Sequence, residues 1–325
     1  MRLRSRSLVP LLAPAHGRRQ RAALGTCTSV ALLLMMALGT PARAQGAYDQ
    51  SIVGSLLERE APLPDAPVEY AVYRVAHPSG NSIYARHELY LQIGEGDVAL
   101  GRERLALAQL LGQAEASSLS VGDSLILPAR PADFDLSPLA YAPYPRTWPG
   151  AAGIDKAVVV DKTTQTWAAY EFGRLTRWGP ASTGAAETPT PTGRFTMNWR
   201  QLERYSSEAP PGERWFMRYV MNIHAARGIH LHQYDVVPTG PPQGHGCIRM
   251  VTADAEWLYD WSDGWQTTAG PGALGGRVTG EGTLVIVQGD EPSGAPARFV
   301  MGPRGPERVA VSLPEDPLAV PRGDR

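Results

Sequence analysis

Four of the seven histidines in the chain, His224, His230, His232 and His245, fall in the short stretch that leads into Cys247. A cysteine close to imidazoles can do two kinds of chemistry. It can act as a nucleophile, because the thiolate rather than the thiol attacks carbonyl carbon and a neighbouring base can take the proton. It can also ligate zinc, since imidazole and thiolate both suit that ion, and His230, His232, His245 and Cys247 would then be the ligand set. A third reading is histidine enrichment in an ordinary β core. The flanking residues favour the thiol. His245 and Arg249 stand two residues either side of Cys247, where a cationic or imidazole group favours the charged sulfur against an ordinary pKa of about 8.5. Gly244 and Gly246 leave room for a substrate backbone and for peptide N–H groups to meet a developing oxyanion.

These groups need elements to hold them. Ile229-His230-Leu231-His232-Gln233 reads as a strand, and alternation points His230 and His232 to one face, so either could reach a thiol on a neighbouring loop. The segment 235–243, with Pro238, Gly240, Pro241 and Pro242, is a return loop long enough to close a groove. Around this stretch run further strand-like segments: Ala157 to Asp161 and Thr166 to Tyr170 as a hairpin, Arg194 to Trp199, Trp215 to Ile223, and Gly282 to Val287. A helix is expected over Ala253 to Trp261, with Thr252 as its cap and Trp257, Leu258 and Trp261 as a core-facing stripe. Residues 153–290 are therefore mainly β, a sandwich or barrel with one or two helices.

The residues match a known pattern. Gly228-Ile229-His230-Leu231-His232 followed by His245-Gly246-Cys247-Ile248-Arg249-Met250 resembles the active-site signature of L,D-transpeptidase (YkuD-type) domains. Ser182-Thr183-Gly184, Thr188-Pro189-Thr190-Pro191-Thr192-Gly193-Arg194-Phe195 and Trp215-Phe216-Met217-Arg218 are similar to upstream segments of the same family. The resemblance implies an acyltransferase without cofactor or metal that acts on the stem tetrapeptides of peptidoglycan. Cys247 would hold a thioester and an amine acceptor would resolve it, forming a cross-link. The resemblance aligns His232 best with the family's base and leaves His230 open. It implies that His245 positions the loop or the oxyanion, with Gly246, and that Arg249 orients the loop or binds a substrate carboxylate. One departure matters: Gly244 stands where the family carries Ser or Thr. That substitution motivates an alternative, a cell-wall-binding protein of the same fold with weak or no catalysis.

Upstream, residues 67–128 read as a small α+β accessory domain. It has a strand over Tyr70 to Val75, a helix over Glu103 to Gln113 and a second strand ending at Pro128. Its end resembles, faintly, a LysM-type glycan-binding module. Residues 45–66 and the proline-rich stretch 129–152 read as linkers, and the proline-rich tail 291–325 as disordered. The first 44 residues form a basic leader with an apolar run from Val30 to Leu38 and an Ala42-Arg43-Ala44 cleavage pattern, the marks of a secretory signal. The run is shorter than the roughly 20 residues of a membrane span, so no integral membrane domain is expected after its removal.

Composition sets the outer limits. The formal charge of the whole chain is −1, and the leader holds seven Arg and no acid, so the remainder carries −8. A protein that acidic offers no footprint for nucleic acid. Of the two Cys, Cys27 lies in the leader, and Cys247 is then an unpaired thiol in an exported protein of the periplasm or envelope.

Overall fold

The computed structural model describes residues 50–262 and 282–323; the expected secretory signal, 1–44, lies outside them. The fold is mainly β, as expected. It centres on a nine-stranded sheet, β3 Lys156–Asp161, β4 Thr166–Glu171, β5 Arg174–Ser182, β6 Gly193–Thr196, β7 Trp199–Tyr205, β8 Phe216–His224, β9 Ile229–Gln233, β10 Ile248–Met250 and β11 Leu284–Gln288. Their order across the sheet is β6-β11-β3-β4-β5-β10-β9-β8-β7.

The stretch Arg194 to Trp199, expected as one strand, is two. β6 and β7 are consecutive in the chain yet occupy opposite edges of the sheet. Met197 and Asn198 carry the backbone between them, the first donating to Thr283 O at 3.0 Å and the second to Asn222 O at 2.7 Å. Two residues can span the edges only because the sheet curls, the accumulated twist of many strands bringing its ends together.

The central strands do not alternate, and the packing says why. Ala157, Val159, Ala168 and Tyr170 belong to one apolar cluster, while Val158, Val160, Trp167 and Ala169 belong to another. Both faces of β3 and β4 are covered, so both parities are apolar. Each such valine contributes roughly 1.5–3 kcal/mol on full burial.

One face is covered by helix α4, Thr252–Trp261, which buries Ala255 and Leu258 and stacks Trp257 on Trp261 with centroids 5.1 Å apart. Thr252 is its first helical residue rather than its cap. The N–H of Thr252 is instead satisfied by Gln50 Oε1 at 2.8 Å, an oxygen supplied from the other end of the chain. Asp254, fully buried, fastens the helix to the sheet through Arg177 Nε at 2.8 Å.

The other face is covered by the segments expected to be independent. Helix α1, Ser51–Leu57, buries Val53, Leu56 and Leu57, where a linker was expected. The α+β region is present as β1 Tyr70–Arg74, α2 Ser82–Ile93, α3 Val98–Leu110 and β2 Ser124–Pro128, with β1 and β2 antiparallel. α2 had no counterpart in the sequence reading, and α3 starts and ends earlier than expected. Asn81 and Asp97 cap these helices, each accepting two backbone N–H groups. The apolar residues of this region lie in the same cluster as Ala157 and Tyr170 of the sheet, so it is continuous with the β core.

Residues 129–152 are not a free linker either. Short 3₁₀ turns that open on Pro131, Pro138 and Pro149 seat Phe134, Tyr141, Tyr144 and Trp148 in the core. The tail is likewise ordered. β12 Phe299–Gly302 and β13 Gly305–Arg308 form a hairpin, and Pro314 and Pro321 give their carbonyls to Trp148 Nε1 and Arg194 N. Proline removes a donor but fixes an extended backbone with its acceptor intact, which suits a strap as well as a coil. Among the described residues no helix is long and apolar enough to cross a membrane.

Candidate active site

Register decides which histidine meets the thiol. β10 runs parallel to β9 with Ile248 beside Leu231 and Arg249 beside His232. One residue back along that register, Cys247 stands at the level of His230. The Cys247 Sγ lies 3.6 Å from His230 Nδ1 and 3.7 Å from the Gly228 carbonyl. The expectation that His232 aligns as the neighbour of the thiol therefore gives way to His230. A strand alternation shows that both rings share a face, but only the β9–β10 pairing says which one is level with sulfur.

His232 is engaged elsewhere. Its Nδ1 is 2.6 Å from the Gln233 carbonyl. A carbonyl only accepts, so that nitrogen carries the proton and Nε2 is bare. Burial holds the His232 imidazole down to about 4, the carbonyl contact opposing this and Arg249 adding to it. His230 is pushed lower, to about 3, first by burial and then by the charges of His232 and Arg204. Burial raises the Cys247 thiol to about 11, against the lowering influence of its His230 hydrogen bond and Arg249. At neutral pH the resting pair is therefore a neutral thiol beside a neutral imidazole. For Nδ1 to accept the thiol proton, the ring proton must sit on Nε2, which is buried without a hydrogen-bond partner. The Trp199 ring packs against this imidazole at 5.0 Å in an edge-on arrangement.

Cys247 opens on a cavity of about 510 Å³. One side is formed by His230, His232, Cys247 and Arg249. Its lining also includes Ser206, Ser207 and Glu208 of the β7–β8 connection and Trp215, Phe216 and Met217. His245, exposed, packs at a tilt on Trp215, with ring centroids 4.8 Å apart, and makes no hydrogen bond to the sulfur. Arg249 lies over the Tyr234 ring at 4.4 Å. Gly246 has φ +96, a left-handed conformation that a side chain would strain, and a Cβ there would meet Ile229 Cδ1 at 2.6 Å. Gly244 is buried and bridges to Gly184 in parallel fashion. His224 packs on Phe195 and is not part of the cavity wall. Among the described residues no three His, Cys, Asp or Glu side chains converge as metal ligands, so the zinc ligand set finds no geometric counterpart there.

Residues 155–287 match the family model for the L,D-transpeptidase catalytic domain, YkuD. The match covers less than half of the chain. A 98-residue stretch is 34% identical to the probable L,D-transpeptidase 3 of Mycobacterium tuberculosis, covering 26% of this chain and 35% of that protein. The chain thus matches about a third of the length of this curated relative. Among solved structures, an L,D-transpeptidase from Mycobacterium smegmatis aligns at 22% identity and TM-score 0.32 over 42% of this chain and 59% of that one. One from Mycobacterium tuberculosis aligns at 23% and 0.33 over 42% and 58%.

Sequence reasoning found Cys247, the glycines and the histidines. It missed Arg204, Glu208, Tyr234 and the Gly228 carbonyl. Arg204 and Glu208 carry no local signal, since arginines and acids on an edge hairpin read as solvated surface.

Proposed function

We propose that the protein is a peptidoglycan L,D-transpeptidase of the exported cell envelope, with Cys247 as nucleophile and His230 as base. The observation that carries the reading is the 3.6 Å approach of Cys247 Sγ to His230 Nδ1 at the wall of a cavity, within a domain of this family. Both groups rest neutral, so the thiol proton passes to Nδ1 as sulfur bonds to the carbonyl carbon of the third stem residue. The tetrahedral oxyanion is met by backbone N–H groups at Gly246 and Cys247. The C–N bond to D-alanine then breaks, His230 returns its proton to the leaving amine, and a thioester remains. An acceptor amine adds to that thioester and gives its proton to His230. The C–S bond breaks, and the sulfur recovers a proton.

The other residues serve the donor. Arg249, over the Tyr234 ring, presents a cation for a stem carboxylate. His245 on Trp215 shapes the mouth of the cavity. His232, with its proton committed to the Gln233 carbonyl, keeps the back of the site neutral. The α+β region is a candidate to hold the glycan near the site. Because it shares a core with the sheet, it would do so at a fixed distance from Cys247.

The test is incubation of the purified protein with tetrapeptide muropeptides, followed by mass spectrometry. Loss of D-alanine together with a cross-linked product supports the proposal. Binding to intact sacculi with no product from the wild type would instead favour a wall-binding protein of this fold, the reading prompted by Gly244.

A further inference from the structure

The loop carrying Cys247 is held from behind by two threonines. Thr188 Oγ1 donates to the Gly244 carbonyl at 3.0 Å, and Thr190 Oγ1 donates to the Gly246 carbonyl at 2.8 Å. Hydroxyls two residues apart thus hold carbonyls two residues apart. Where Gly244 lacks a hydroxyl of its own, the loop takes hydroxyls from the facing segment.

The Thr190 bond has a fixed direction. Its oxygen already accepts the Gly184 N–H at 2.8 Å, and a carbonyl cannot donate, so the single hydroxyl proton lies on the line to Gly246. Thr190 is 1% exposed and its own backbone is also pinned. Its N–H meets Glu291 Oε1 at 2.8 Å, its carbonyl takes Lys162 Nζ at 3.2 Å, and Lys162 pairs with Glu291 at 3.4 Å. Glu291 lies in the strap beyond the matched residues 155–287. There is little slack at the contact: a Cβ on Gly184 would stand 2.0 Å from the Thr188 carbonyl and 2.9 Å from Gly246 Cα.

Geometry converts this clamp into aim. In a trans peptide the carbonyl and the following N–H point in opposite directions. A Gly246 carbonyl turned toward Thr190 therefore turns the Cys247 N–H away from it, and a shift of that plane would misdirect the donor while leaving the sulfur in place. We propose that Thr190, seated by the Lys162–Glu291 pair, is a positioning residue that aims the Cys247 backbone N–H at the reaction's oxyanion. The inference rests on the acyltransferase reading above.

Two reactions of one sulfur separate aim from integrity. Acylation by a β-lactam develops an oxyanion, whereas alkylation by iodoacetamide displaces iodide at a saturated carbon and develops none. Both adducts on Cys247 are timed by intact-protein mass spectrometry. Thr190→Val is expected to slow acylation by roughly 10- to 100-fold, below the roughly 10²–10³-fold of deleting a donor, with alkylation within about 3-fold of wild type. Thr190→Ser, which keeps the hydroxyl, restores acylation. Glu291→Gln, which keeps an acceptor for the Thr190 N–H but loses the ion pair, slows acylation by a smaller factor. It also carries the test should Thr190→Val fail to fold. The proposal is overturned if the acylation-to-alkylation ratio is unchanged in these variants, or if both rates fall together. A wild type that is acylated while Thr190→Val matches it sinks this inference alone. A wild type that is alkylated but never acylated sinks the acyltransferase reading and this inference with it.

Discussion

The cavity has two unlike sides. Its back wall, His230 and His232 on β9 with Cys247 at the start of β10, lies in the middle of the sheet, both rings 5% exposed and paired through a parallel register. Its front rim is the free end of the β7–β8 hairpin at the edge of the sheet. There Tyr205 and Phe216 pack at a tilt, 5.4 Å apart with nearly half their surface open, and Arg214 lies over Tyr205 at 3.9 Å. The back wall holds the Cys247 thiol and the His230 imidazole 3.6 Å apart, and burial sets their protonation. The rim leaves aromatic and charged side chains exposed to solvent. On the proposed function, chemistry falls to the buried middle of the sheet and substrate contact to its exposed edge.

The contrast is broken most severely at the sulfur. Cys247→Ala is expected to abolish turnover, on the order of 10⁴-fold or more, with an unchanged melting profile, read by D-alanine release. The two histidines come next. His230→Ala should lower kcat by roughly 10²–10⁴-fold as a lost general base. His232→Gln should cost far less, because its proton is committed to a carbonyl. If His232 proved the more damaging loss, the register argument would be wrong.

Proton linkage tests the same wall without substitution at the sulfur. With the thiol raised to about 11, the alkylation rate of Cys247 should keep climbing with pH well past the roughly 8.5 of a free thiol, and a plateau near 8.5 would contradict the burial argument. Stability gives a matching sign. The imidazoles of His230 and His232 fall from the usual 6.5 to about 3 and about 4 on folding. Between those values the unfolded chain binds more protons, so the fold should lose stability as pH falls below about 6.5. His230→Gln should flatten that slope in denaturant titrations at pH 7 and pH 4.5. The rim is expected to give the smallest effect. Phe216→Ala should raise KM by a few fold, about 1 kcal/mol of uniform binding, and leave kcat unchanged. A fall in kcat equal to that of His230→Ala would erase the distinction between the two sides.

Much of this was legible in the residues because the information is local. A lone cysteine between His-Gly and Ile-Arg, glycines where backbone must come close, and short apolar strands all act within a few residues of themselves. The strands of the β domain and the helix ending at Trp261 were readable for that reason. Composition misled where it was asked for more than it holds. Proline in 129–152 and 291–323 reads as coil, yet the aromatic side chains between those prolines, or the prolines' own carbonyls, find partners far away in the chain.

The sequence alone placed a cysteine just after two glycines, close along the chain to four histidines, in a mainly β domain, since residue types and short spacings are written along the chain. Only the tertiary structure decided that His230 rather than His232 faces the sulfur, that Gln50 caps α4, and that Thr190 and Glu291 hold the loop from behind. Each of those depends on the register or contact of segments far apart in sequence, and a one-residue shift in pairing would reassign every partner.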